Sequence, residues 1–514
     1  MVYKGLYHFF YQFNPDGPDF SATNIVWGHS TSQDLINWTP HEPALRPSAR
    51  DADINGCFSG SATILPNGKP TLLYSGVDSR KNQVQNVAFP KNISDPYLKQ
   101  WVKLPQNPLI KPTPKNRIDT SSFRDPTTAW LDESDGHWRT VIGSKIKDKG
   151  VAVLYKSKDF IHWNISNRLF HSRDRVGMCE CPDFYPVSTT SEIGLDTSKL
   201  TGFGIKIIFK LSLQDTAHDY YTIGGYDRRK DVYTPDKGSV DNDSGLRYDY
   251  GKFYASKSFY DSEKRRRILW AWINESLPQQ EYIKQGWSGI QAIPRTIWLD
   301  KSGKQLVLWP VEEIESLRTN EVRWQSKLMR GGSMHEIEGV TAAQADVDIT
   351  FEVSNLEEAE PLLDSNRTNP QLLCTKMDAS NRGGIGPFGL KVLASKDLQE
   401  YTSVFFIIFR GKDKYLVLMC SDQTRSSLNK KTEKTSYGAF VDVDPLHEKL
   451  SLRSLIDHSV VESFGMKGKT CITSRVYPMN AMGSEAHMFV FNNGKRSVKI
   501  LELKAWSMRK AHIN

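Results

Sequence analysis

The sequence predicts an all-β protein built as two bodies, a radial array of small sheets followed by a β-sandwich. Three observations carry this. Short β-branched and aromatic runs alternate with Gly, Pro, Asn and Asp through the first half, and long amphipathic helical patterns do not occur. The segment Ser32-Gln-Asp34-Leu-Ile-Asn-Trp38 recurs as Ser157-Lys-Asp159-Phe-Ile-His-Trp163. Blades of roughly 50–65 residues place two blades between those copies. From Val347 onward a second series of strand-like runs has the number and spacing of a sandwich.

Taken in order, strands are expected at 6–13, 70–74, 140–142, 151–155, 205–213 and 252–260, each an apolar or aromatic run ended by turn residues. Strand starts keep a beat through Ser59-Gly-Ser61, Arg124-Asp125, Glu180 and Asp249-Tyr-Gly251. Counting back one blade from Ser59 lands at or just before Met1. Residues 264–267, Lys-Arg-Arg-Arg, precede the apolar run 268–272 and read as a hairpin turn. The run Trp309-Pro-Val-Glu-Glu-Ile-Glu-Ser-Leu is a turn of helix or a strand edge. Residues 316–335 read as a linker between a body at 1–315 and a sandwich at 336–514. Sandwich strands are expected at 347–353, 402–409, 414–419, 440–443, 450–456, 487–491 and 498–506.

With 514 residues, 39% of them hydrophobic, the chain can fill two cores and is not a disordered segment. The net charge of +8 is spread out, and no nucleic-acid module appears, so it implies solubility or adhesion to an acidic matrix. No apolar run is long enough to cross a membrane. Cys179-x-Cys181 is too close, and lacks a partner pair, for a zinc site. Cys374 and Cys420 each end an apolar run and are candidates to pair across the sandwich. Glycosylation acceptor patterns occur at Asn37, Asn92, Asn164, Asn242, Asn274 and Asn366. The first ten residues alternate like a strand and are broken by Lys4 and His8, so no signal peptide is read there.

The chemistry lies in two acidic motifs. Residues 123–127 are Phe-Arg-Asp-Pro-Thr, and residues 178–184 are Met-Cys-Glu-Cys-Pro-Asp-Phe. A lone Asp-Pro is most often turn punctuation. Two acidic motifs, each beside an apolar or β-branched run, instead place Asp125 and Glu180 at strand starts facing a common centre. Glycoside hydrolysis uses such carboxylates, one to protonate the leaving oxygen and another to attack or to guide water.

These motifs, with Tyr11-Gln-Phe-Asn-Pro15, Asn24-Ile-Val-Trp-Gly-His29, Ser59-Gly-Ser-Ala-Thr63, Arg247-Tyr-Asp-Tyr-Gly251, Trp287-Ser-Gly-Ile-Gln-Ala-Ile-Pro-Arg295, Asp457-His-Ser-Val-Val-Glu462 and Ser474-Arg-Val-Tyr-Pro478, resemble plant acid invertases and fructan exohydrolases of glycoside hydrolase family 32. The resemblance covers essentially the whole chain, and Pro182 resembles the cell-wall branch. It implies a five-bladed β-propeller (1–315, its first blade truncated) followed by a β-sandwich. It also implies retaining hydrolysis of terminal β-fructosyl bonds in sucrose or a fructan oligosaccharide, without metal or cofactor. Glu180 is then the acid/base and Asp125 the transition-state stabiliser, with Arg124 beside it. Gln12, Phe20, Phe58, Ser59, Asp183, Gln214 and Trp287 complete the implied substrate site. A secreted, apoplastic location follows from the same resemblance, with an acidic cell-wall polysaccharide as a further partner and neither nucleic acid nor membrane.

Four departures from the family pattern stand out. The chain starts at Met1-Val-Tyr-Lys-Gly5, just past where the family carries its Asn-Asp-Pro-Asn nucleophile motif. A catalytically silent sugar-binding relative is therefore the alternative reading. Gln214-Asp-Thr-Ala217 stands where invertases carry Asp-Asp-Thr-Lys, which favours fructan over sucrose. Phe58 and Phe20 replace tryptophans, and Cys179 replaces the Trp before Glu180.

Overall fold

The structure is a computed structural model that describes residues 1–18, 24–48, 52–113, 117–362 and 369–513. Five antiparallel sheets follow one another along residues 2–310. Blade 1 holds Val2–Tyr3, Leu6–Phe13, Val26–Ser32 and Thr39–Leu45. Blade 2 runs from Cys57–Ile64 to Trp101–Lys103, and blade 3 from Phe123–Arg124 to His171–Asp174. Blade 4 runs from Cys179–Ser188 to Val232–Pro235, and blade 5 from Tyr254–Asp261 to Leu306–Pro310. Strands packed on both faces lose the simple alternation of a half-buried strand, and every residue of Pro70–Val77 is buried.

Polar contacts between neighbouring blades close the ring. Gln12 Nε2 donates to the Cys57 carbonyl at 3.2 Å, and Ser61 Oγ to the Pro126 carbonyl at 2.7 Å. Arg139 pairs with Asp231 at 2.6 Å, and the Ser258 amide donates to Asp183 at 2.8 Å. Tyr7 closes the circle by donating to Asp261 at 2.8 Å.

The repeated Ser-x-Asp segments form the same turn, in blades 1 and 3. Asp34 accepts the amides of Ile36 and Asn37, and Asp159 those of Ile161 and His162. Trp38 and Trp163 each donate their indole N–H to the carbonyl three residues back. Leu35 and Phe160 share a left-handed backbone, with φ of 64° and 66°. Ser395-Lys-Asp397-Leu398 repeats the Ser–Asp contact in the sandwich, with Leu398 at φ 57°. In blade 1 the turn also occupies the Asn37 side chain, which donates to Asp34 and accepts from the His512 amide. Asn92, Asn164 and Asn242 are exposed, and Asn366 lies outside the described residues.

The second body is a six-stranded sheet facing a seven-stranded one. Val347, Ile349 and Phe351 from the first pack with Phe388, Leu390, Val404 and Phe406 from the second in one buried cluster. Residues 316–335 are not a linker. They carry Arg318–Met329, a twelve-residue strand paired with Val498–Met508. It is a mostly exposed edge strand, so its polar composition hid it. Cys374 and Cys420 do form a disulfide, but not from sheet to sheet. Cys374 sits on the helix Pro370–Lys376, which covers the outer face of the seven-stranded sheet with Phe405, Ile407 and Leu418. Neighbouring Met419 points into the core instead.

Propeller and sandwich meet through a buried charged knot. Arg295 contacts Asp249 at 2.9 Å, Glu462 at 2.7 Å and Thr473 Oγ1 at 2.8 Å. Asp249 also accepts the Thr473 amide at 2.8 Å. Gly251 lies so close that an added Cβ would stand 2.0 Å from the Thr473 carbonyl. The motifs 247–251, 287–295 and 457–462 thus converge at this seam. Asp249-Tyr-Gly251 is not the start of blade 5, whose first strand begins at Tyr254.

Candidate active site

Asp125 directly follows the two-residue strand Phe123–Arg124, which pairs with Gly143 and Ser144 of blade 3. Its backbone is left-handed, at φ 66°, which costs a non-glycine residue about 1–2 kcal/mol. Two bonds hold it there. Its amide donates to Ser75 Oγ at 2.9 Å, and its carboxylate accepts the Cys181 amide at 2.9 Å. The carboxylate is therefore buried and fixed, and strain of this kind concentrates at functional sites.

Glu180 is the second residue of Cys179–Ser188. Pairing with the neighbouring strand slips between Glu180 and Asp183, and Cys181 takes φ 43°. Glu180 stays paired with Ser212, while Cys181 and Pro182 leave the ladder and let the Cys181 amide reach Asp125. The first strands of blades 2 and 5 slip near the same end, at Phe58/Gly60 and at Tyr254/Lys257. Ser59 and Tyr254 sit at those irregularities.

Arg124 ties the acids together. Its Nη2 meets Glu180, its Nε lies 3.8 Å from Asp125, and its Nη1 donates to Gln83 at 3.0 Å. Burial opposes the guanidinium charge, but Asp125 and Glu180 outweigh it and raise the Arg124 pKa. Tyr254 donates its hydroxyl to the other Glu180 oxygen. Burial first, then the Glu180 charge, raise the Tyr254 pKa far above the usual phenol range. Lys257 Nζ donates to the Pro126 and Pro182 carbonyls at 3.1 and 3.0 Å, bridging the segments that carry the two acids. Buried Lys210 holds the Cys181 carbonyl at 2.8 Å.

Sequence reading did not single out Tyr254, Lys257, Gln83 or Lys210. Tyr254 and Lys257 fall in the expected strand 252–260, and nothing local marks them as facing the acids. The site signal is the slipped pairing, which exists only once two strands are aligned.

The remaining expected residues divide. Phe58 and Ser59 lie on the first strand of blade 2, and the Phe58 carbonyl accepts from the Trp27 indole at 2.9 Å. The Oε1 of Gln12 is buried without a partner among the described residues. Gln214 sits in the hairpin after Ile205–Leu213. Its amide donates to the Met178 carbonyl at 3.2 Å, and its side-chain oxygen accepts the Met178 amide at 3.4 Å, two residues before Glu180. Ala217 occupies the same turn at φ 50°. Trp287 is 46% exposed, on a rim loop tied to blade 1 by Ser288 Oγ donating to the Pro18 carbonyl at 2.6 Å. Asp183 is tied to the next blade. It is 2% exposed and bonded to the Ser258 amide, so it joins blades 4 and 5. Phe20 lies outside the described residues.

Two carboxylates on slipped and strained backbone, bridged by one arginine at a shared end of a five-bladed propeller, define a carboxylate-dependent glycoside hydrolase. The chain belongs to glycosyl hydrolase family 32, since residues 1–310 match the family's N-terminal domain and residues 313–507 its C-terminal domain. It is 57% identical to an insoluble-isoenzyme β-fructofuranosidase of Arabidopsis thaliana, over 100% of this chain and 87% of the relative. It is 58% identical to a fructan 6-exohydrolase of Beta vulgaris, over 100% of this chain and 84% of that protein. The crystal structure of fructan 1-exohydrolase IIa from Cichorium intybus superposes with a TM-score of 0.96 at 50% identity, covering 99% of this chain and 94% of the other. The fold is therefore the five-bladed propeller plus sandwich, and the chain is a glycosidase of the β-fructofuranosidase and fructan exohydrolase type.

Proposed function

We propose that this glycosidase releases terminal fructosyl units with retention and favours fructans over sucrose. Glu180 passes its proton to the glycosidic oxygen as the bond to the anomeric carbon breaks. Retention needs a separate nucleophilic carboxylate to attack that carbon, a part the family gives to its Asn-Asp-Pro-Asn motif and neither acid of this site takes; water then frees the sugar as Glu180 removes its proton. Asp125, fixed by the Cys181 amide, accepts hydroxyls of the fructosyl ring and steadies the positive charge developing on it. Tyr254 and Arg124 aim the Glu180 carboxyl.

The observation that carries the substrate preference is the docking of the Gln214–Ala217 turn against Met178, beside Glu180. Met178 is two residues before the acid, so the turn stands on the leaving-group side in this reading. It offers a neutral amide and a methyl group, so it makes no charge-assisted bond to a glucosyl unit, worth about 1.5–3 kcal/mol each. A variant of the Cichorium intybus relative has been solved with 1-kestose, in keeping with this reading. The test is kcat/KM on sucrose, 1-kestose, inulin and levan oligomers, repeated with Gln214→Asp plus Ala217→Lys. A gain of one to two orders of magnitude on sucrose is expected. An unchanged preference overturns the specificity reading.

The relatives named as insoluble or cell-wall isoenzymes, together with a net charge of +8, support placement on acidic polysaccharide in the wall. Retention on pectate beads that is lost in moderate salt is the expected behaviour.

A further inference from the structure

The segment 274–291 belongs to the propeller by sequence, yet the sandwich holds it. It leaves blade 5 after Arg266–Ile273, carries the short helix Gln279–Gln285 and Trp287, and rejoins the sheet at Ile290–Gln291. Its clamp is Glu275, a buried carboxylate. Tyr477 of the sandwich donates its hydroxyl to Glu275, and the Arg475 guanidinium lies 3.3 and 3.4 Å from its two oxygens. Glu275 in turn accepts the Gly289 amide at 2.7 Å. Two further sandwich contacts reach the same segment. The Glu433 amide donates to the Ser276 carbonyl at 2.8 Å, and Lys431 pairs with Glu281 at 2.9 Å.

Trp287 is bracketed by this clamp. The Arg475 guanidinium stands 5.6 Å from the centre of its ring, while nearly half of the indole remains open to solvent. Arg475 itself is almost fully buried and 4.4 Å from the Tyr477 ring. An indole backed by a fixed guanidinium is a rigid, half-exposed platform. A series of neighbours leads from it toward the acid. Gly289 lies against the Trp272 indole, Trp272 stands opposite Tyr254 across the strand pair, and Tyr254 bonds Glu180.

We propose that Glu275, Arg475 and Tyr477 are positioning residues that set Trp287 as a stacking platform for the leaving-group sugars of a fructan oligosaccharide. The sandwich thereby tunes the preference for chain length. The inference rests on the fructan reading above. It differs from a simple domain clamp in one respect: its loss is felt in proportion to how far the substrate extends beyond the bond being cut.

The experiment uses the enzyme and the variants Tyr477→Phe, Trp287→Ala, Trp287→Phe and the double change Tyr477→Phe with Trp287→Ala. KM and kcat are measured on sucrose, 1-kestose and an inulin oligomer of about ten units. Tyr477→Phe and Trp287→Ala are expected to raise KM for the long oligomer about five- to ten-fold, more than for 1-kestose, with kcat on the long oligomer held. Trp287→Phe restores most of the loss, and the double change is no worse than Trp287→Ala, because Tyr477 acts through Trp287. Equal losses at every chain length, a fall in kcat instead of a rise in KM, or additive effects overturn the proposal. If Tyr477→Phe fails to fold, the rim variants Trp287→Ala and Trp287→Phe still decide it. The unmodified enzyme's sucrose-to-inulin ratio tests the fructan reading by itself, so the two failures are told apart.

Discussion

A single guanidinium joins the two acids of the site. Arg124 meets Glu180 through Nη2 and lies 3.8 Å from Asp125 through Nε. Asp125 is the next residue after Arg124, but Glu180 is 56 residues on, in the following blade, so that contact exists only because blades 3 and 4 pack side by side.

Tyr254 is expected to matter for the reaction and little for the fold. Tyr254→Phe removes the hydroxyl bonded to Glu180 and keeps the ring. Loss of a hydrogen bond to a charged group, about 1.5–3 kcal/mol, corresponds to a kcat/KM roughly ten- to a hundred-fold lower. The melting temperature should stay within a few degrees. A normal rate in a folded variant would remove Tyr254 from the site.

Asp125→Asn keeps an oxygen for the Cys181 amide, and asparagine tolerates the left-handed backbone at this position. The fold is expected to survive, while turnover falls by about 10²–10³-fold because the fixed charge is gone. Glu180→Gln should cost about 10²–10⁴-fold through loss of the transferable proton. Pre-steady-state assays separate the two. Only Glu180→Gln should spare a substrate whose leaving group needs no proton.

Acid should weaken blade 1. His8 and His29 are buried against each other, with His8 Nδ1 3.0 Å from His29 Nε2. Burial first, then the nearby N-terminal amine, lowers His8 to about 3, and burial followed by His8 lowers His29 to about 2. Both values lie below the usual 6.5, so the unfolded chain takes up these protons first. Stability is full above pH 6.5 and falls as pH drops from there toward 3. At pH 5 each histidine costs about 2 kcal/mol. A scan of melting temperature from pH 7.5 to 4.5 should show the decline. His8→Phe with His29→Phe should flatten it, and an equally steep decline in that double variant would falsify the assignment.

The seam between propeller and sandwich should fail if one member of its knot is lost. Arg295, Asp249 and Glu462 are all nearly inaccessible. Glu462→Gln leaves part of the Arg295 charge unbalanced in the interior, at a cost of about 3 kcal/mol or more. Calorimetry is expected to show two separated transitions where the parent shows coupled ones. A single, unshifted transition would mean that the knot does not hold the bodies together.

Much of the architecture was legible because strand periodicity and turn chemistry are local. The expected strands at 402–409, 450–456, 487–491 and 498–506 lie within Thr402–Arg410, Leu450–Asp457, His487–Asn492 and Val498–Met508. The Ser-x-Asp repeat marked equivalent turns two blades apart. Ile385–Ala394 escaped because Gly386, Pro387 and Gly389 read as punctuation, although every residue of that strand is buried. Arg318–Met329 escaped because its apolar side, Val322 and Trp324, is short, only partly buried and interrupted by a register shift and by charged residues.

For the site the division is sharper. The sequence alone marked the candidate acids, Asp125 and Glu180, and the neutral pair Gln214 and Ala217, because those residues stand in short motifs. Only the tertiary structure decided what surrounds them. It buried Asp183 between blades, brought Tyr254 onto Glu180, sent Asp249 to the seam and set Trp287 beside Arg475. Each of these is a contact between residues far apart in the chain. Blade-to-blade register, slipped strand pairing and the docking of one domain on another set such contacts, and none of the three leaves a mark in local composition.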